Sequence, residues 1–213
     1  MTRVKLCGIT RAEDAALAVS EGAWAIGLIF APESIRRCDL AVAEEIGAAV
    51  KRKVEVAGVF VNAHLDELAE FADRCSLTLL QLHGEEGPSY CAEAARRTGC
   101  KVIKAARVEN AASVRGLRAF PVDFHMLDAH VAGRRGGTGE TFAWELAAAR
   151  GKGPPIIISG GIGPGNAAAA VAAAHPFALD SASGTEAEPG RKDPARVRAL
   201  LRAVAQASAP AAA

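Results

Sequence analysis

Two side chains in this sequence could pass protons to and from a substrate held between them. Cys7 ends the apolar run Val4-Lys5-Leu6-Cys7, and Asp128 ends another, Phe124-His125-Met126-Leu127-Asp128. Facing each other across one pocket, a thiolate can serve as base and a carboxyl as acid. Strand alternation puts Lys5 and Cys7 on one face, about 6.6 Å apart. The Lys5 ammonium is therefore expected to favour the thiolate, unless Lys5 pairs with a buried acid instead. A carboxyl closing an apolar strand is partly desolvated, which favours its proton-donating form. Taken alone, Cys7 also reads as a small core thiol and Asp128 as a turn or cap residue.

Other residues could hold a ligand around that pair. Ser159-Gly160-Gly161-Ile162 and Asp180-Ser181-Ala182-Ser183-Gly184-Thr185 follow two late apolar runs. Glycine and serine there let backbone N–H groups converge on an anion, so Gly160, Gly161, Asp180, Ser183 and Gly184 are candidate phosphate contacts. Arg36 lies in the loop Ser34-Ile35-Arg36-Arg37, where a guanidinium could grip a carboxylate with two bonds. Gln81 and His83 share a face and could line the pocket or serve structurally. His125 alternates away from Asp128 and reads as a packed structural histidine. With His130 beyond the strand, no metal cluster is expected. A third glycine-rich segment, Gly136-Gly137-Thr138-Gly139, could be a lid or a plain turn; it lacks the lysine of a nucleotide-binding P-loop.

The elements that must position these residues alternate along the chain. Strands are predicted at Val4–Cys7, Ala25–Phe30, Glu55–Val61, Leu79–Leu82, Val102–Ala105, Phe124–Leu127, Ile156–Ser159 and Phe177–Asp180. Several are continuously apolar, as strands covered on both faces should be. Helical segments lie between them: Arg11–Glu21, Asp39–Ala49, Leu65–Asp73, Ser89–Arg97, Ala111–Leu117, Trp144–Ala149, Gly165–Ala174 and Pro194–Ala205. Thr10 is expected as the first N-cap, with Glu13 at N3, and Gly22 and Gly99 as left-handed exits. Eight strand–helix units without a linker predict a single (β/α)8 barrel over residues 1–205. A doubly wound open sheet is the runner-up, but Gly8-Ile9-Thr10 is not its glycine fingerprint. In a barrel, Cys7, Asn62, His83, Lys104, Asp128 and Ser159 would end strands at the mouth, where barrel enzymes do their chemistry.

Composition narrows the classes. The 213 residues carry 25 basic and 24 acidic side chains, a net charge of +1, and 50% are hydrophobic. No basic stripe suggests nucleic acid, and no 18-residue apolar run suggests a membrane span. Five cysteines without C-x-x-C spacing argue against a disulfide framework or a zinc site and for the reducing cytoplasm. Residues 206–213 have no core-forming pattern and are expected to be disordered. Oligomeric state, monomer or homodimer, is left open.

Several motifs in register resemble the phosphoribosylanthranilate isomerase family. They are Lys5-Leu6-Cys7-Gly8-Ile9-Thr10, Val59-Phe60-Val61-Asn62, Gln81-Leu82-His83-Gly84-Glu85, Leu127-Asp128, Gly136-Gly137-Thr138-Gly139, Ser159-Gly160-Gly161-Ile162, and Ser183-Gly184-Thr185-Glu186 followed by Pro189-Gly190-Arg191-Lys192-Asp193. The resemblance implies a (β/α)8 barrel using no cofactor and no metal. The implied reaction is the Amadori rearrangement of N-(5′-phosphoribosyl)anthranilate, a phosphorylated small molecule, in tryptophan biosynthesis. It implies Cys7 as general base, Asp128 as general acid and Arg36 as the group handling the anthranilate carboxylate. Ile35 and Ala182 depart from the family's usual proline and serine. Competing readings are a histidine-pathway isomerase, disfavoured because Cys7 stands where that enzyme relies on aspartate, a metal-dependent epimerase, and a catalytically silent phospho-ligand sensor.

Overall fold

The computed structural model describes residues 1–128, 144–147 and 152–209. The loop Gly136-Gly137-Thr138-Gly139 and His130 lie outside the described residues. Eight parallel strands close into a barrel: β1 Arg3–Cys7, β2 Ala25–Ile29, β3 Glu55–Phe60, β4 Leu79–Leu82, β5 Lys101–Arg107, β6 Phe124–Asp128, β7 Ile156–Ser159 and β8 Ala178–Ser181. The seam is β1 on β8, in register from Arg3 with Ala178 to Leu6 with Ser181. Helices α1 Ala12–Ser20, α2 Leu40–Val50, α3 Leu65–Arg74, α4 Pro88–Thr98, α5 Ala111–Gly116, α6 Ala167–Ala174 and α7 Pro194–Ala207 have described bounds, and residues 144–147 are also helical. Among the described residues, no helix is long and apolar enough to cross a membrane.

Alternation along each strand builds two cores. Outward residues such as Val4, Leu6, Ile26, Leu28, Leu80, Leu127 and Leu179 pack under the helices. Inward residues such as Ala25, Ala57, Leu79, Ile103, Met126, Ile157 and Ala178 fill the barrel. Trp24, Phe124 and Phe177 plug its lower end, with edge-on contacts from Trp24 to both phenylalanines at 5.6 and 5.0 Å. Such pairs contribute about 0.5–1.5 kcal/mol each beyond their buried area. Above these rings stand the buried inward polar side chains of Lys5, Gln81 and Asp180.

Three expectations are corrected, and one element is added. The N-cap of α1 is Arg11, without a side-chain bond, because the Thr10 hydroxyl donates instead to the Gly190 carbonyl at 2.5 Å; Glu13 is thus not at N3. Strand β5 runs on to Arg107, so Lys104 does not end it. Alternation turns Lys104 outward, where its ammonium donates to Glu86 at 2.7 Å and to the Gly84 carbonyl at 2.7 Å. The last helix reaches Ala207, and the Ser208 hydroxyl beyond it accepts from the Thr2 backbone N–H at 3.1 Å. Residues 206–209 are therefore ordered onto the body, whereas 210–213 lie outside the described residues. Finally, a short antiparallel hairpin, β9 Glu186–Glu188 and β10 Arg191–Lys192, follows the barrel. Gly22 and Gly99 do take left-handed φ values of +80° and +69° at the exits of α1 and α4.

Gly47 shows how tightly the layers close. It lies on the buried face of α2, and a Cβ there would overlap the Cys75 carbonyl. Gly47→Ala should lower stability by about 1–3 kcal/mol in urea unfolding, despite alanine's helix preference of about 1 kcal/mol. An unchanged or raised midpoint would show that α2 is free to shift away.

Candidate active site

The upper barrel is where inward alternation meets polar side chains. Lys5 is completely buried, and its ammonium donates to Asp180 at 2.8 Å across the β1–β8 seam. Asp180 also accepts from the Ser159 hydroxyl at 3.1 Å. It therefore sits beneath the mouth as the partner of Lys5 and Ser159. Cys7 stands one inward position above Lys5 and is 5% exposed. Gly27 on β2 makes room for both: a Cβ there would lie 2.8 Å from Cys7 Sγ and 3.0 Å from Lys5 Nζ.

This packing adds burial and a neighbouring acid to the expected electrostatics of Cys7. Burial pushes its thiol pKa up; Lys5 pulls it down, Asp180 pushes it up again, and the net direction is up. Burial also opposes the charge on Lys5, but Asp180 and Cys7 outweigh it, so the lysine pKa rises. The cation beside the thiol is already neutralised by Asp180, which leaves Cys7 the field of an ion pair rather than of a lone charge. Lys5 favours the thiolate as expected, but burial and Asp180 outweigh it.

Asp128 ends β6 on the inward face shared by Phe124 and Met126. His83, just past the end of β4, reaches it across β5, with Nε2 3.3 Å from Oδ2. The Gln81 amide nitrogen lies 3.3 Å from His83 Nδ1. Gln81 and His83 thus line the mouth and form a row ending on the candidate acid. His125 points outward, its Nε2 3.0 Å from the Phe120 carbonyl, in keeping with a structural role.

Arg36 is clamped from below. Its Nε and Nη2 meet the Glu186 carboxylate at 2.7–3.0 Å, and its Cδ occupies the space over Gly8, which has φ +76°. Glu186 in turn lies 3.7 Å from Lys192. The buried Lys192 ammonium donates to the carbonyls of Cys7 at 2.7 Å and Ala182 at 3.0 Å, and its backbone N–H donates to Asp14 at 3.0 Å. Burial opposes ionisation of Glu186, but Arg36 and Lys192 carry its pKa below the ordinary carboxylate value. Burial lowers the Lys192 pKa, with Glu186 acting against it. The sequence reading assigned Glu186 and Lys192 no role, although both fall within its last matched motif. Their signal was two charges in a short segment beside the glycine-rich loop.

The two anion-loop candidates come together. The Ser181 hydroxyl donates to the Ile162 carbonyl at 2.6 Å, and a Cβ on Gly184 would overlap that same carbonyl. Gly160 and Gly161 have φ of +91° and +71°, and Ser183–Thr185 forms a 3₁₀ turn. The backbone N–H groups of Gly160, Gly161, Ser183 and Gly184 make no turn or loop bond among the described residues. Successive donors of this kind are what an anion requires. Among the described residues there is no group of three His, Cys, Asp or Glu that could hold a metal ion.

A closed eight-stranded barrel with a thiol, a carboxyl and open N–H groups at its mouth defines a (β/α)8-barrel enzyme. Residues 4–203 match the family model described as N-(5'phosphoribosyl)anthranilate (PRA) isomerase. A relative from Citrifermentans bemidjiense, named N-(5'-phosphoribosyl)anthranilate isomerase, is 47% identical over 94% of this chain and 96% of its own. The crystal structure of phosphoribosyl anthranilate isomerase from Thermotoga maritima is 36% identical, with a TM-score of 0.86, over 97% of this chain and 100% of that one. A structure of the enzyme in complex with reduced 1-(o-carboxyphenylamino)-1-deoxyribulose 5-phosphate is 33% identical, with a TM-score of 0.83, over 97% and 100%. The chain belongs to the phosphoribosylanthranilate isomerase family.

The ion-pair account of Cys7 makes a prediction. Asp180→Asn removes the negative charge and leaves the Lys5 ammonium beside the thiol unopposed. Alkylation of Cys7 by iodoacetamide near neutral pH, followed by peptide mass spectrometry, should be slow in the parent protein and faster in the variant. Equal or slower labelling of the folded variant would show that Asp180 does not set the thiol's protonation.

Proposed function

We propose that Cys7 and Asp128 are the base and acid of an aldose–ketose isomerase acting on N-(5′-phosphoribosyl)anthranilate. As a family member the chain is an isomerase of tryptophan biosynthesis. The observation that carries the role assignment is the common inward face: Cys7 above Lys5 on β1, and Asp128 held by His83 on β6, both project into one barrel mouth.

The chemistry follows from those groups. Asp128 gives a proton to the ribose ring oxygen as the C1′–O bond breaks, and the nitrogen lone pair forms a protonated Schiff base. Cys7, as thiolate, takes the C2′ proton, and that electron pair closes the C1′=C2′ bond of an enolamine. Loss of the C2′ hydroxyl proton and protonation at C1′ give 1-(2-carboxyphenylamino)-1-deoxyribulose 5-phosphate. The open N–H groups around Gly160, Gly161, Ser183 and Gly184 take the phosphate. Arg36, held by Glu186 through Nε and Nη2, has Nη1 left to meet the anthranilate carboxylate. Five buried, unpaired thiols suit a reducing compartment and support the cytoplasm as the site of action.

Cys7→Ala and Asp128→Asn should each lower kcat by about 10²–10⁴-fold with little change in KM. The assay follows the loss of substrate fluorescence, with substrate generated in situ from anthranilate, phosphoribosyl pyrophosphate and the preceding transferase. Arg36→Ala should act chiefly on KM. A Cys7→Ala protein that turns over at the parental rate would remove the thiol from the mechanism, and a silent Arg36→Ala would remove the carboxylate contact.

A further inference from the structure

The proposed reaction leaves the enzyme with its two protons in the wrong places. Each turnover ends with Cys7 protonated and Asp128 ionised, whereas the next substrate needs Cys7 as thiolate and Asp128 as the acid. One proton must reach Asp128 and one must leave Cys7 before the cycle can repeat. Resting on the isomerase reading above, we infer that His83 is the residue through which Asp128 regains its proton.

Three observations place His83 in that role. Its Nε2 lies 3.3 Å from Asp128 Oδ2, so a proton passes along a single contact. The His83 side chain is 24% exposed against 15% for Asp128, so the imidazole is the more open of the two to water. An imidazole also has two ring nitrogens, so it can take up a proton on one side and release one on the other. The third observation is Gln81. Its amide nitrogen lies 3.3 Å from His83 Nδ1, while its buried amide oxygen has no hydrogen-bond partner among the described residues. A ring carrying its only proton on Nε2 presents a lone pair at Nδ1, which the amide N–H₂ serves; the imidazolium, and the neutral ring left once Nε2 has given its proton to Asp128, both present an N–H at Nδ1, which the unused oxygen serves after the amide turns over. Once turned, Gln81 therefore serves the ring before and after the transfer in one orientation.

The step balances with water as the only co-reactant. Imidazolium His83 gives its Nε2 proton to the Asp128 carboxylate and becomes neutral imidazole. Water or a buffer acid then protonates the ring again, and the Cys7 thiol returns its proton to water. No bond to carbon changes, and no oxidant or reductant is needed. A residue that only held Asp128 in place would affect the first turnover and later ones alike. A relay is needed only from the second turnover onward.

The experiment compares those two regimes in the full chain. Substrate freshly made from anthranilate and phosphoribosyl pyrophosphate is mixed rapidly with excess enzyme for a single turnover, and with limiting enzyme for steady state. In His83→Asn the steady-state kcat should fall by about 10²-fold, while the single-turnover rate falls far less, by about threefold. Added imidazole should restore the steady-state rate. His83→Gln, which keeps a longer side chain, should behave alike and guards against a misfolded Asn variant; thermal melting checks both. Equal falls in the two regimes without imidazole rescue, or no fall in either, would overturn the relay while leaving the isomerase reading intact. An Asp128→Asn variant with an undiminished single-turnover rate would instead overturn the acid assignment, and the relay with it.

Discussion

The site is organised around one buried ion pair, Lys5 with Asp180. It spans the seam where the first strand meets the last, so the contact that closes the barrel also sits directly under the candidate base. Removing one partner of such a pair costs about 3–5 kcal/mol, because a charge is stranded without solvent. The pair thereby specifies which strands must adjoin. It also shapes the electrical surroundings of Cys7: burial raises the thiol's pKa, Lys5 opposes that rise, and Asp180 works against Lys5. Gly27 completes the arrangement by leaving out the one side chain that would collide with both groups.

A second layer of charge lies above the first. Glu186 receives Arg36 and Lys192, and Lys192 fixes the carbonyls of Cys7 and Ala182. The loop carrying the base and the loop offering N–H groups to an anion are thus tied through one ammonium. The Thr10 hydroxyl on the Gly190 carbonyl adds a further tie between the same segments. The Ala182 carbonyl takes part directly, so this position contributes backbone whatever its side chain. Ile35, the other departure from the family pattern, is 74% exposed, and its loop is held by the Ser34 hydroxyl accepting from the Arg36 N–H at 3.1 Å.

The barrel was legible because its strands are buried on both faces and read as short apolar runs, and because their ends carry polar residues at matching intervals. Cys7, Asp128, Arg36, Gln81 and His83 could be picked out for the same reason. Long-range pairing hid the rest. Nothing near Thr10 shows that its hydroxyl is engaged by Gly190, so it looked like an N-cap. Nothing near Lys5 shows that Asp180 is the acid that pairs with it, or how fully Cys7 is buried, so the net direction of the Cys7 shift could not be read. The hairpin Glu186–Lys192 is too short and too charged to show a strand period. Strand β5 seemed to stop early because Ala106-Arg107 breaks the apolar run, although the backbone pairing continues to Arg107 opposite Asp128.

The bond from Lys192 to the Cys7 carbonyl joins residues 185 positions apart, and this has a consequence for synthesis. The ribosome makes the candidate base long before the lysine that fixes it. Until Asp180 and Lys192 have been added, Cys7 is therefore an ordinary thiol on an unclosed sheet, with no acid beneath Lys5 and no ammonium behind its carbonyl. A chain terminated before Lys192 carries the nucleophile without its setting, so proton-transfer chemistry is withheld until that segment has been made.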